Sequence, residues 1–232
     1  GMSGSGKSTT QAAMLERINQ EFHKKIITIE DPVEFVYQSD RCLISQLEVG
    51  IDTPSFEQAL RQALRHDPDV ILIGELRDVE TLRMALRAAD TGHQVFATLH
   101  SSDAAQSIER VIAMFPPGEH ALLLSQLAGS LEAIVSQRLV LTKEGRRRPA
   151  VEVLRGCPVV EKYVLERRVT ALIEYMESGD HGMQSFDQHL LAMYNDKVIT
   201  NTEALRWASS PEKITMAMHG IISSSKGITG GL

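Results

Sequence analysis

Three short apolar runs constrain this chain more than anything else in it: KKIITIED (24–31), DVILIGE (69–75) and HQVFATLH (93–100). All are rich in Val, Ile and Thr and are flanked by helix-like or turn-like sequence, which is how fully buried parallel strands read. Helical candidates lie between them. SFEQALRQALRH (55–66) puts Phe56, Ala59, Leu60, Ala63 and Leu64 on one face. DVETLRMALRAADTG (78–92) has Asp78 placed to cap its start and Gly92 to stop it. Alternating helix and strand implies an α/β layer architecture for the first ~140 residues.

The pattern then changes. GEHALLLSQLAGSLEAIVSQRL (118–139) reads as one long helix, and LVLTKEGRRRPAVEVL (139–154) as a hairpin turning at Lys143–Arg147 around Gly145. From Pro158 the periodicity is helical: one helix over 159–177, another over 185–196, then two shorter pieces. The small, polar tail SSSKGITGGL (223–232) is expected to be mobile. The expected division is an α/β domain over residues 1–156, hairpin included, and a helical carboxy-terminal region over 157–232.

Bulk properties exclude several classes. A formal charge of −6 argues against a nucleic-acid binder working by overall electrostatics. The two cysteines, Cys42 and Cys157, form no C-x-x-C pair, so a zinc site or disulfide framework is not expected and a reducing cytosolic compartment fits. No apolar run approaches the ~18–20 residues of a membrane-spanning helix.

The chain begins GMSGSGKSTT, in which Gly1, Gly6, Lys7 and Ser8 complete the phosphate-loop pattern G-x-x-x-x-G-K-[S/T]. Such a loop turns successive backbone N–H groups toward phosphate oxygens, so Ser3, Gly4, Ser5 and Thr9 belong to the candidate nucleotide-binding set with those four. Lys7 is placed to reach the β- and γ-phosphates, Ser8 to bind Mg²⁺, and the helix that follows to present its positive end. Each apolar run also ends in ionisable residues: Glu30 and Asp31, then Glu75, then His100. In a parallel sheet these share the ligand-binding edge.

Carboxylates at that edge hold Mg²⁺ directly or through water, one of them orients the attacking water, and a histidine contacts the γ-phosphate. Many phosphate-loop proteins have Asp where this chain has Gly74, so Glu75 becomes the candidate for orienting water, with Glu30 and His100 beside it. The metal then rests on Ser8, with Asp31 and Glu75 acting through water. Each residue has a structural alternative. Glu30-Asp31-Pro32 can end a strand, Glu75 can pair with Arg77, and His100 can cap a helix starting near Asp103. Their joint occurrence with the loop favours the functional reading. Arg61/Arg65 and Arg83/Arg87 fall at i,i+4 and read as solvated faces, and Arg146–Arg148 as an exposed turn.

Four signatures in order, GMSGSGKSTT, ITIEDPVEF, LRHDPDVILIGELRD and TGHQVFATLH, resemble the Walker A, Asp box, Walker B and His box of the secretion-motor ATPases of type IV pili and type II secretion. The resemblance implies a RecA-like phosphate-loop NTPase with a mostly parallel sheet and a helical carboxy-terminal region. It also implies Mg²⁺-dependent ATP hydrolysis, a homohexameric ring, an inner-membrane pilus platform protein as partner, and a cytoplasmic location at the inner face of that membrane. RVIAMFPPGEHALLLSQLAGSLEAIVSQRLV (110–140) and GMQSFDQHL (182–190) are similar to the pilus-retraction branch. Two cysteines cannot make the tetracysteine zinc insertion general in extension and secretion members. Val159–Val164 stands where the retraction branch has Ala-Ile-Arg-Asn-Leu-Ile, its Arg and Asn replaced.

On this resemblance the chain corresponds to a carboxy-terminal motor domain without the family's PAS-like domain and first motor strands. Weak turnover is then expected, and a poorly anchored loop at residues 1–6 unless bound nucleotide or a neighbour orders it. Gly1-Met2 also admits reading as an appended glycine before a start methionine. The alternatives are an ATP-binding assembly module with little turnover, a pilus-extension or secretion ATPase, and, less favoured, a small phosphate-loop kinase.

Overall fold

The computed structural model describes residues 1–221. They group into two compact units that do not follow chain order. One comprises Lys7–His100 with Ile112–Ser130, the other Gly1–Gly6 with Ser101–Val111 and the chain from Leu131 onward. The tail expected to be mobile, residues 223–232, lies outside the described residues.

The first unit contains α1 (Lys7–Glu21), β1 (Lys25–Glu30), β2 (Leu43–Glu48), α2 (Phe56–Ala63), β3 (Val70–Ile73), α3 (Val79–Asp90) and β4 (Gln94–Ala97). The last turn of α4 (Ala104–Met114) and all of α5 (His120–Ser130) complete it. Its four strands form one wholly parallel sheet in the order β2-β1-β3-β4. The central strands are buried, five of six residues in β1 and all four in β3, as their unbroken apolar sequence requires. Leu15 of α1 packs on one face with Ile26, Cys42, Val70 and Leu72. Ser55 caps α2 by accepting from Gln58 N, and Asp78 caps α3 by accepting from Thr81 N.

Two expectations need correcting here. β4 is not fully buried: it stands at an edge of the described sheet, with a strand neighbour on one side only among the described residues. The other edge strand, β2, was not foreseen. Its sequence LISQLE mixes polar and apolar residues, as an edge strand with a partly exposed face does.

The second unit is built on an antiparallel hairpin of β5 (Ala133–Leu141) and β6 (Arg147–Arg155). The turn lies where expected, with Gly145 at φ +78°. The preceding helix is shorter than expected: α5 ends at Ser130, and residues 133–139, taken as its continuation, form the first strand of the hairpin. The stretch AIVSQRLVL carries β-branched residues and finds a nine-residue partner in RRPAVEVLR, and that pairing overrides the helical periodicity. Gly156 closes this end, since a Cβ there would fall 1.9 Å from the Leu131 carbonyl oxygen.

Five helices follow among the described residues: α6 (Pro158–Leu165), α7 (Val169–Glu177), α8 (Phe186–Asn195), α9 (Asn201–Trp207) and α10 (Pro211–Met218). The single helix expected over 159–177 is two, interrupted where Arg167 takes φ +54°. A capping box between Ser185 and Gln188 starts α8. Val140, Ala150, Phe186, Leu190, Met193, Ile199, Ala204 and Ile214 form the core of this unit. The Arg138 guanidinium lies 3.8 Å from the Phe186 ring centroid.

Candidate active site at the strand ends

A parallel sheet brings the carboxyl ends of its strands to one edge. Asp31 follows β1 directly, Gly74 and Glu75 follow β3, and His100 lies three residues past β4. Glu75 links these ends. Its Oε1 is 3.1 Å from His100 Nε2, and its Oε2 accepts from Arg77 Nε at 2.8 Å. Arg77 also donates to Asp31 Oδ2 at 3.0 Å, so one guanidinium joins the ends of β1 and β3. Burial alone would raise the Glu75 pKa, but the hydrogen bond and charge of Arg77, with those of His100, outweigh it and hold Glu75 below the ordinary carboxylate value. Glu75 is therefore an ionised acceptor with both oxygens engaged.

Backbone stitching places it. Gly74 N donates to Ile29 O at 2.8 Å and Leu76 N to Thr98 O at 3.0 Å, while the Thr98 hydroxyl donates to Gly74 O. At Gly74 the strand end passes so close to β1 that a Cβ would lie 3.3 Å from both Glu30 Cα and Ile29 O. A side chain at Gly74 would therefore press on the β1 backbone.

Glu30 is not among the residues Glu75 gathers. It is buried, and its Oε1 accepts from Thr28 Oγ1 at 2.8 Å and from Gln46 Nε2 at 3.2 Å. Lys7, the first residue of α1, has its pKa lowered by burial, against the raising effect of Glu75 and then Glu34. The charges of both carboxylates thus act on Lys7. Ser8 and Thr9 follow in the first turn of α1.

Residues Gly1–Gly6 belong to the second unit. Ser5 N donates to Met2 O at 3.2 Å, closing a turn, and Gly4 and Gly6 take φ of +73° and +91°, conformations open to glycine. A Cβ on Gly1 would sit 2.4 Å from Ser5 Oγ and 3.1 Å from the Gln137 carbonyl oxygen, and one on Gly6 would lie 3.8 Å from Leu139. The loop expected to be poorly anchored thus packs on β5. A side chain at position 1 would press on the Ser5 hydroxyl and the Gln137 carbonyl. Ser5 is buried, and its hydroxyl is a buried polar atom without a hydrogen-bond partner among the described residues. Such a hydroxyl inside a phosphate-loop sequence suits an anionic oxygen ligand.

Among the described residues no three His, Cys, Asp or Glu side chains gather in a way that could hold a metal ion. Mg²⁺, a hard ion, needs only one or two protein oxygens and completes its shell with water and substrate phosphates. The Ser8 hydroxyl and the carboxylates of Asp31 and Glu75 are oxygen donors of that kind.

Sequence reasoning missed three participants. Arg77 was weighed only as a pairing alternative for Glu75, although its position two residues on was the available signal. Glu34 lies within the ITIEDPVEF signature without being singled out, and Gln46 carried no motif signal. The solvated reading suits Arg61, which pairs with Glu57 at 2.9 Å on an exposed face. Arg83 departs from it: its side chain is 24% exposed, contacts Glu119 at 2.6 Å and lies 5.1 Å from the Phe115 ring centroid.

Comparison with known proteins adds the lineage. Residues 1–222 match the family model described as type II/IV secretion system protein. The type IV pilus retraction ATPase PilT of Pseudomonas aeruginosa is 45% identical over 213 residues, 91% of this chain and 62% of the relative. A twitching motility protein of Neisseria gonorrhoeae is 45% identical over 217 residues, 93% of this chain and 58% of the relative. A crystal structure of the pilus retraction motor PilT with bound ADP superposes with a TM-score of 0.86 at 41% identity, covering 92% of this chain and 61% of the other. This chain therefore spans less than two thirds of these relatives, and its fold is the RecA-like phosphate-loop fold. With a family model matched over nearly its whole length, the chain belongs to the type II/IV secretion system protein family.

Proposed function

We propose that this chain binds and hydrolyses Mg·ATP as the motor portion of a ring-shaped ATPase that powers type IV pilus retraction. The observation that carries the reading is the linkage of Glu75 to His100 and, through Arg77, to Asp31, with the charge of the same carboxylate acting on Lys7. Gly1, Ser3, Gly4, Ser5, Gly6, Lys7, Ser8 and Thr9 bind the phosphates. Ser8 would hold Mg²⁺, with Asp31 and Glu75 contributing through water, and the ion would neutralise phosphate charge. Glu75 orients the attacking water, Glu30 supports it from β1, and His100 contacts the γ-phosphate. The RecA-like domain is proposed to span residues 1–156 and the helical region 157–232. A homohexamer, an inner-membrane pilus platform protein and the cytoplasmic face of that membrane complete the proposal. Among the described residues no helix is long and apolar enough to cross a membrane.

One observation favours a second reading, an ATP-binding module with little turnover: both Glu75 oxygens are engaged by protein partners, and water must compete with them. Nucleotide binding and steady-state hydrolysis, measured together with the oligomer mass, separate the two. Turnover that Glu75→Gln abolishes while nucleotide affinity is retained supports the motor reading. Tight binding without hydrolysis supports the module. Equal hydrolysis by parent and Glu75→Gln would show that Glu75 does not orient the water.

A further inference from the structure

Gln46 carries no role in the reading above, yet its side-chain amide is engaged on every side. Nε2 donates to the Glu30 carboxylate at 3.2 Å and to Phe35 O at 2.8 Å, and Oε1 accepts from Tyr37 N at 3.0 Å. The chemistry of the partners sets the orientation of this amide. Two acceptors on one side require the NH₂ group, and an N–H on the other requires the carbonyl oxygen. In the β1–β2 register Gln46 lies opposite Thr28, whose hydroxyl donates to the same Glu30 oxygen at 2.8 Å. Two side chains from adjacent strands thus hold one carboxylate oxygen.

The segment between β1 and β2 has no regular secondary structure, and side chains supply its anchors. Glu48 Oε2 accepts from Val33 N at 3.0 Å. Asn19, buried in α1, donates to Gln38 O at 2.8 Å and accepts from Asp40 N at 3.0 Å. Gln46 fixes the middle, on both sides of Val36. Glu34, whose charge acts on Lys7, sits between the Glu48 and Gln46 anchors.

We propose that Gln46 is a positioning residue for ATP hydrolysis: by one amide it fixes the Glu30 carboxylate and the loop between β1 and β2. This rests on the ATPase reading, and its test separates the two. Gln46→Met retains the length and removes all three hydrogen bonds. Gln46→Glu retains the acceptor for Tyr37 N, removes both donors and sets a carboxylate against Glu30. Relative to the parent, Gln46→Met is expected to lower kcat roughly tenfold, with KM for ATP changed less than about twofold, because misplacement of a reacting-site group acts on the transition state. Gln46→Glu is expected to lose more than Gln46→Met.

Combining Gln46→Met with Glu30→Gln should add little to the loss from Glu30→Gln alone, because both act through one carboxylate. An unchanged kcat in Gln46→Met, or a full additional loss in the Glu30→Gln background, would overturn the proposal. Hydrogen exchange at the Tyr37 amide reads the clasp without any turnover. If the parent itself does not hydrolyse ATP, the ATPase reading is what fails. Faster exchange in Gln46→Met than in Gln46→Glu then supports the clasp, and equal exchange in both variants and the parent overturns it.

Discussion

Replacing Gly74 tests whether the missing aspartate of this site is a matter of space. A Cβ at Gly74 would lie 3.3 Å from Glu30 Cα and 3.3 Å from Ile29 O, and both neighbours are backbone. Neither can swing aside, and Gly74 N is itself bonded to Ile29 O at 2.8 Å. Relief must come from moving the end of β3 away from β1 by a few tenths of an ångström. Overpacking of this kind costs about 1–3 kcal/mol. For a chain of this size that corresponds to a fall in Tm of roughly 2–12 °C for Gly74→Ala. Gly74→Asp should fall further, because it adds a carboxylate between those of Glu30 and Glu75.

Gly118 supplies the control, since a Cβ there meets nothing within 4 Å. Gly118→Ala is expected to unfold at or slightly above the parent's temperature, within about 1 kcal/mol. Calorimetric unfolding of the three variants, with ATP hydrolysis followed alongside, checks the argument. If Gly74→Ala melts with the parent and hydrolyses ATP equally well, the close approach does not explain the glycine.

Other consequences follow from the same structure. Arg77→Met removes a hydrogen bond and a positive charge from Glu75, whose pKa should rise toward the ordinary carboxylate value; the acid limb of the ATPase pH profile is then expected to move to higher pH, and an unmoved limb would exclude Glu75 as the group it reports. Burial pushes Glu152 up to about 7 from an ordinary 4.5, despite Ala104 N donating to it, with Asp103 adding to the rise and Arg138 and Ser136 opposing it. A raised carboxyl binds its proton more tightly in the folded chain, so stability should fall by roughly 3 kcal/mol as pH climbs through that window and then level off. Glu152→Gln keeps an acceptor for Ala104 N without the charge, so urea midpoints between pH 5 and pH 8 should decline less than in the parent; an identical decline refutes the assignment. Ser5→Ala deletes the partnerless buried hydroxyl and is expected to stabilise the nucleotide-free chain by about 1 kcal/mol while weakening ATP binding. Thermal shift with and without nucleotide measures both, and undiminished binding would remove Ser5 from the phosphate contacts.

What could be read from the sequence tracks how much of each signal is local. β1 and β3 are buried on both faces, so their Val/Ile runs stand out, and Asp78 and Gly92 act within a turn of their own residues. β2 was invisible because an edge strand need not be continuously apolar, and Gln46 and Glu48 face a loop that only the fold supplies. β5 was absorbed into a helix because AIVSQRL also fits a helical period, and only its pairing with residues 147–155 decides between the two states. The break at Arg167 is a positive-φ residue in a run of good helix formers, with no glycine or proline to mark it.

The same division runs through the candidate site. Phosphate-loop spacing and ionisable strand ends are visible in one dimension, because a parallel sheet necessarily aligns the ends of its strands. How those ends interact is not, since it depends on side chains choosing among several partners. The pairing of Glu75 with Arg77 was weighed as a substitute for function, yet the structure has it together with the His100 contact, one on each carboxylate oxygen. The two readings therefore do not compete. An arginine that holds Glu75 ionised also occupies an oxygen that a water would use, so it favours the charge state that the proposed water-orienting role requires while opposing access to it. Whichever effect dominates in Arg77→Met turnover decides whether Arg77 supports the carboxylate or restrains it.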